Sequence, residues 1–106
     1  MRPKEYFLQL TVNGRIIKKV LIGRHFELKH GHYMNDELIL DLVMALDGET
    51  FTVDSTTDGI EYYVADVIHG TVANSRKTYR LIWLFEGEEM EILGVINAYR
   101  RRKRRS

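Results

Sequence analysis

Three features of the sequence predict an α+β domain. An Asn-Gly dipeptide sits between two apolar-rich runs near the start, a short and strongly apolar helix signal occupies the middle, and three β-branched, aromatic runs fill the second half. Their order predicts a mostly antiparallel sheet, made of an N-terminal hairpin and a C-terminal three-stranded meander, with one or two helices packed on one face. The 106 residues fit a single domain, 1–106, large enough to bury a core without covalent staples.

The hairpin is read from Tyr6 to Val12, where Tyr6, Leu8, Leu10 and Val12 share a face, and from Arg15 to Ile22. Asn13-Gly14 joins the two runs and suits a tight turn with positive φ at both positions. Residues 25–30 have the character of one or two helical turns, with Gly31 as a stop. Asn35 is an N-cap candidate for a helix from Asp36 to about Leu46, favoured by Asp36 and Glu37 in its first turn and ended by Asp47-Gly48. Leu38, Ile39, Leu42, Val43, Ala45 and Leu46 form its apolar stripe. Leu40 and Met44 fall toward the polar side, so they either reach a second layer or offer a contact surface to a partner or a second copy.

Phe51–Val53 is a short strand candidate and 54–59 reads as a turn. Strands are then predicted over Ile60–Ile68, Thr78–Phe85 and Met90–Tyr99, with turns at 69–77 and 86–89. The run Thr78–Phe85 is apolar on both faces and belongs in the centre of the sheet. Trp83 and Leu42 are expected in the core.

Charge is unevenly spread. Six of the 16 Lys and Arg residues are consecutive, Arg100 to Arg105, which leaves 10 basic against 15 acidic residues in the body. A flexible basic tail is therefore expected from about residue 101. Such a tail either attracts polyanions such as RNA through counterion release or only keeps the chain in solution. The absence of cysteine excludes disulfides and thiolate metal sites and fits a reducing, cytoplasmic setting. The first residues lack the apolar core of a signal peptide, and no apolar run approaches the roughly 20 residues of a membrane helix. No glycine loop for nucleotides and no nucleophile elbow is present, so no cofactor is expected.

Three constellations carry candidate chemistry. His25, Lys29, His30 and His32 lie close together; imidazole exchanges protons near neutral pH and Lys neutralises phosphate, although a polar connector has the same composition. Their spacing matches no zinc pattern. Arg76, Lys77 and Arg80 surround the start of the central strand, either as phosphate contacts or as a solvated strand end. Asn97 and Tyr99 share a face near the end of the last strand, with Ile96 and Ala98 on the other, and Tyr99 either stacks on a base or closes the sheet. Antiparallel pairing across the 86–89 turn brings Arg80 within a few positions of Tyr99.

The segments Lys29-His30-Gly31 and Ala98-Tyr99-Arg100-Arg101, with an apolar helix and a meander between them, resemble the RelE/ParE-like toxins, and among these the BrnT-type ribonuclease toxins and their small relatives. The resemblance covers roughly residues 24 to 103. The opening hairpin, the acidic body and the want of a long C-terminal helix depart from it. It implies metal-independent cleavage of RNA by 2′-hydroxyl attack, with an antitoxin or ribosome-associated RNA among the partners. The implied roles are His25 or His30 as general acid or base, Arg80 as phosphate stabiliser and Tyr99 as an orienting group. Lys29, Arg76, Lys77, Arg100, Arg101 and Arg102 would then hold the RNA backbone. A homodimer through Leu40 and Met44, or a binding protein that has no catalysis, is the alternative.

Overall fold

A computed structural model of the chain describes residues 3–24, 26–70 and 76–101. Eight strands and two helices run in the order β1 (Lys4–Tyr6), β2 (Leu10–Val12), β3 (Arg15–Ile17), β4 (Lys19–Ile22), α1 (Phe26–His30), α2 (Asp36–Met44), β5 (Ser55–Thr57), β6 (Ile60–His69), β7 (Lys77–Glu86) and β8 (Ile92–Arg100) among the described residues. Six strands form one sheet in the order β1-β4-β8-β7-β6-β5, and β2 and β3 form a separate ribbon.

The α+β class and the central meander β6-β7-β8 agree with the sequence reading, and β7 lies between β6 and β8. The Asn13-Gly14 turn forms, with φ of 55° and 71°, and pairs Val12 with Arg15 and Leu10 with Ile17. The hairpin forms in two stretches, β2 with β3 beside the turn and β1 with β4 farther out, with the pairing interrupted at residues 7–9 and 18–19. The inner stretch is a separate ribbon, whereas the outer one, β1 with β4, belongs to the main sheet. There β4 lies parallel to β8, with Ile22 opposite Val95, so the sheet is mixed. Strand β4 thus has two partners, β1 and β8, and buries Val20 and Ile22 in the core.

Residues 51–60 also depart from the pattern expected of them. No strand occupies Phe51–Val53; instead Ser55–Thr57 pairs with Ile60–Tyr62 across Asp58-Gly59. Asp58 and Gly59 have φ of 53° and 79°, the tight hairpin geometry that Asp-Gly favours.

Helix α2 starts at Asn35, whose side chain accepts a 2.8 Å hydrogen bond from the Leu38 N–H. It covers one face of the sheet and buries Ile39, Leu42 and Val43, joined by Leu46 just beyond its end. Trp83 and Leu42 are both fully buried. Trp83 stacks on Tyr63 and meets Phe51 edge-on, at centroid separations of 5.7 and 5.0 Å. Each such buried side chain contributes roughly 1.5–3 kcal/mol relative to exposure. Leu40 turns out to be half-buried and packs against the core, whereas Met44 is 42% exposed. Among the described residues no helix is long and apolar enough to cross a membrane.

Candidate functional site

The candidate site lies at one end of the sheet, where β7 begins and β8 ends. Strand β4 pairs only with Ile92–Val95 of β8. The remaining half of β8 has β7 on one side and α1 on the other. The chain leaves β4 through Gly23, whose N–H bonds the Val95 carbonyl at 3.0 Å; a Cβ there would stand 3.3 Å from that same oxygen. Helix α1 then stops at His30, whose carbonyl accepts from the Tyr33 and Met34 N–H groups, and Met34 is buried as an anchor. Gly31 is needed at this stop, because a Cβ would meet the Glu27 carbonyl oxygen at 2.9 Å.

Register places the central residues. Asp66 lies opposite Arg80 on β6 and β7, and Arg80 lies opposite Tyr99 on β7 and β8. All three project from the sheet face away from α2, since the alternate residues Leu81 and Ala98 are buried in the core. Asn97 shares that face, opposite Ile82. A bulge between Ile82 and Trp83 removes Ile96 from the regular alternation and leaves it exposed, so Ile96 does not accompany Ala98 into the core.

The His30 ring stacks on Tyr99, with centroids 5.5 Å apart and planes 26° from parallel. The Tyr33 hydroxyl lies 2.9 Å from His30 Nδ1 and accepts a 3.1 Å hydrogen bond from the Arg100 N–H. A hydroxyl donates to a neutral Nδ1 or accepts from a protonated one, so this contact holds the ring in either charge state. Arg100 places its guanidinium over the Tyr33 ring at 4.7 Å.

Arg80 holds Asp66 in bidentate fashion, Nε to Oδ1 at 2.9 Å and Nη2 to Oδ2 at 3.3 Å. Arg101 donates to the same Oδ2 at 2.8 Å. The hydrogen bond from Arg80 holds the Asp66 carboxyl below the usual carboxylate range, with burial opposing and Arg101 assisting. In return Asp66 raises the Arg80 guanidinium above its ordinary value, with a smaller contribution from a hydrogen bond to Tyr99. Asp66, Arg80, Tyr99 and His30 thus form a continuous row from β6 to α1.

Of the residues singled out in the sequence, the structure brings His30, Arg80 and Tyr99 together. Arg100 and Arg101 flank them, and the exposed Arg76 and Lys77 stand at the same sheet end, where Tyr79 pairs with Arg100. Lys29 is exposed on α1. His25 and Arg102 lie outside the described residues. His32 is exposed and packs edge-on against Tyr33, while His69 approaches Asp41 of α2, 3.3 Å away. Tyr33 and Asp66 were not singled out. Asp66 had a signal, since pairing the two runs across residues 69–77 sets it opposite Arg80. Tyr33 had none beyond its aromatic type.

In this row His30, Arg80 and Tyr99 are half-buried and Asp66 is exposed. A cavity of about 200 Å³ beside Arg15 and Phe85 and one of about 460 Å³ beside Tyr6 and Arg24 contain none of its members; a third, of about 340 Å³ beneath β6, reaches only Asp66. Among the described residues no group of three or more His, Asp or Glu side chains is placed to hold a metal ion. Comparison of the chain with protein-family models, curated proteins and solved structures gives no match.

Proposed function

We propose that the chain is an endoribonuclease of the RelE/ParE-like kind, cleaving RNA in the cytoplasm without a metal ion. The observation that carries this reading is the convergence of an imidazole, a tyrosine and a guanidinium at one sheet end, with His30 stacked on Tyr99 and Arg80 opposite it. In the proposed reaction the RNA 2′-oxygen attacks the adjacent phosphorus and the bond from phosphorus to the 5′-oxygen breaks. One proton leaves the 2′-hydroxyl and one reaches the departing 5′-oxygen. His30 serves one of these transfers, Arg80 neutralises the developing charge on phosphorus oxygens, and Tyr99 orients the nucleotide. Lys29, Arg76, Lys77, Arg100 and Arg101 supply backbone contacts, to which the remaining arginines of the tail add. The exposed Met44 is a candidate contact for an antitoxin or a second copy.

The test is incubation of the pure protein with total RNA in EDTA. The expected products end in a 2′,3′-cyclic phosphate and begin with a 5′-hydroxyl, and a 2′-deoxy substitution at the cleaved position blocks the reaction. RNA that is bound but left intact supports the second reading, a non-catalytic RNA-binding protein. That reading is favoured by one observation, that Asp66 already occupies Arg80.

A further inference from the structure

We infer that Arg80 and Arg101 form a phosphodiester clamp whose resting occupant is the Asp66 carboxylate, so that RNA enters by displacing Asp66. The inference rests on the reading above only in that RNA is taken as the ligand; it does not require cleavage. The geometry carries it. Asp66 Oδ2 accepts from Arg80 Nη2 at 3.3 Å and from Arg101 Nη1 at 2.8 Å, while Oδ1 accepts from Arg80 Nε at 2.9 Å. Two guanidiniums thus enclose the two oxygens of one planar anion. A phosphodiester presents two non-bridging oxygens to a guanidinium fork in the same way.

Charge favours exchange. One carboxylate faces two cations here, and Arg100 stands beside Arg101, so the sheet end keeps a net positive charge with Asp66 in place. All three side chains are partly exposed, at 32% for Arg80, 36% for Asp66 and 45% for Arg101. An ion pair this wet is weak and screened by salt, so an incoming phosphate has little to overcome. The position is also productive, because Arg80 is opposite Tyr99 and Tyr99 carries His30. A phosphate replacing Asp66 is therefore one strand away from the aromatic pair. Arg101 is held in place independently, since its backbone N–H bonds the Thr78 carbonyl at 2.8 Å.

The experiment measures binding of a single-stranded 2′-O-methyl RNA oligonucleotide, which lacks the attacking hydroxyl, to the full chain at several salt concentrations. Asp66→Asn is expected to tighten binding about tenfold and to steepen the salt dependence, because two guanidiniums become free to meet phosphates. Asp66→Ala should act in the same direction, and Arg101→Gln in the Asp66→Asn background should cancel the gain. Unchanged or weaker binding by both Asp66 variants, with native circular dichroism, would overturn the clamp. Binding that tightens as described, in a protein that leaves natural RNA intact, keeps the clamp and removes the nuclease reading.

Discussion

The imidazole of His30 and the ring of Tyr99 lie face to face, 5.5 Å apart, although one belongs to a five-residue helix and the other to the last strand. Neither element forms that pairing alone. It requires α1 to take the place beside β8 that β4 vacates after Ile22. On the proposed function, His30→Ala and Tyr99→Phe are each expected to slow RNA cleavage at least about tenfold, or roughly 1.4 kcal/mol of barrier. Arg80→Ala is expected to do at least as much. Thermal melts should show all three variants folded. Full activity in His30→Ala would remove the histidine from the mechanism.

Asp36 ties the start of α2 to β1 and to the segment that follows β4. It accepts from Arg24 Nη2 at 2.6 Å and from the Tyr6 hydroxyl. Burial pushes its carboxyl up, but these hydrogen bonds outweigh burial and hold it below its ordinary value. A depressed folded value means that the stabilisation is fully present above the unfolded value of about 3.9 and is lost as pH falls through the folded one. Asp36→Asn is expected to cost roughly 2–3 kcal/mol at pH 7 and to make stability less dependent on pH below about 4. Urea denaturation of both proteins at pH 7 and pH 3 reads this, and parallel losses at the two values would refute it.

Asn13 has two duties. It takes the positive φ of the turn, and its amide exchanges two hydrogen bonds with the Phe51 backbone, at 3.0 and 2.7 Å. Asn13→Ala is expected to lose roughly 2–3 kcal/mol. Asn13→Gly keeps the turn and loses only the bonds, so chemical denaturation should place it between wild type and the alanine variant.

Trp83 is fully buried, yet its Nε1 has no hydrogen-bond partner among the described residues. An unmet donor in the core offsets part of what its large ring contributes. Trp83→Phe is therefore expected to cost less than about 1.5 kcal/mol, against roughly 3–5 kcal/mol for Trp83→Ala. Equal losses in calorimetry would show that the indole N–H is not a burden.

Much of this molecule is legible residue by residue. Asn13-Gly14, Asn35 and the apolar stripe of α2 act within a few positions of themselves, so local chemistry reveals them. The nearness of Arg80 to Tyr99 follows from a short turn between neighbouring strands. The parallel match of β4 with β8 is not legible, because it joins segments far apart in the chain that no turn links. The strand Ser55–Thr57 is hidden for another reason. Its polar residues carry no apolar period, and only the Asp58-Gly59 turn announces it. The partnership of Asp66 with Arg101 depends on where the chain runs after its last strand, which no local pattern encodes.

The pairing of Ile22 with Val95 also governs the timing of folding. The ribosome makes β4 early and β8 last among the described strands, and β4 has no parallel neighbour until β8 arrives. Contacts so distant along the chain close slowly. The same late strand carries Tyr99 and ends at Arg100. The site therefore assembles only after nearly all of the described chain has been synthesised. On the proposed function, RNA cleavage waits for β8 to dock, since only that strand brings Tyr99 to His30 and Arg80.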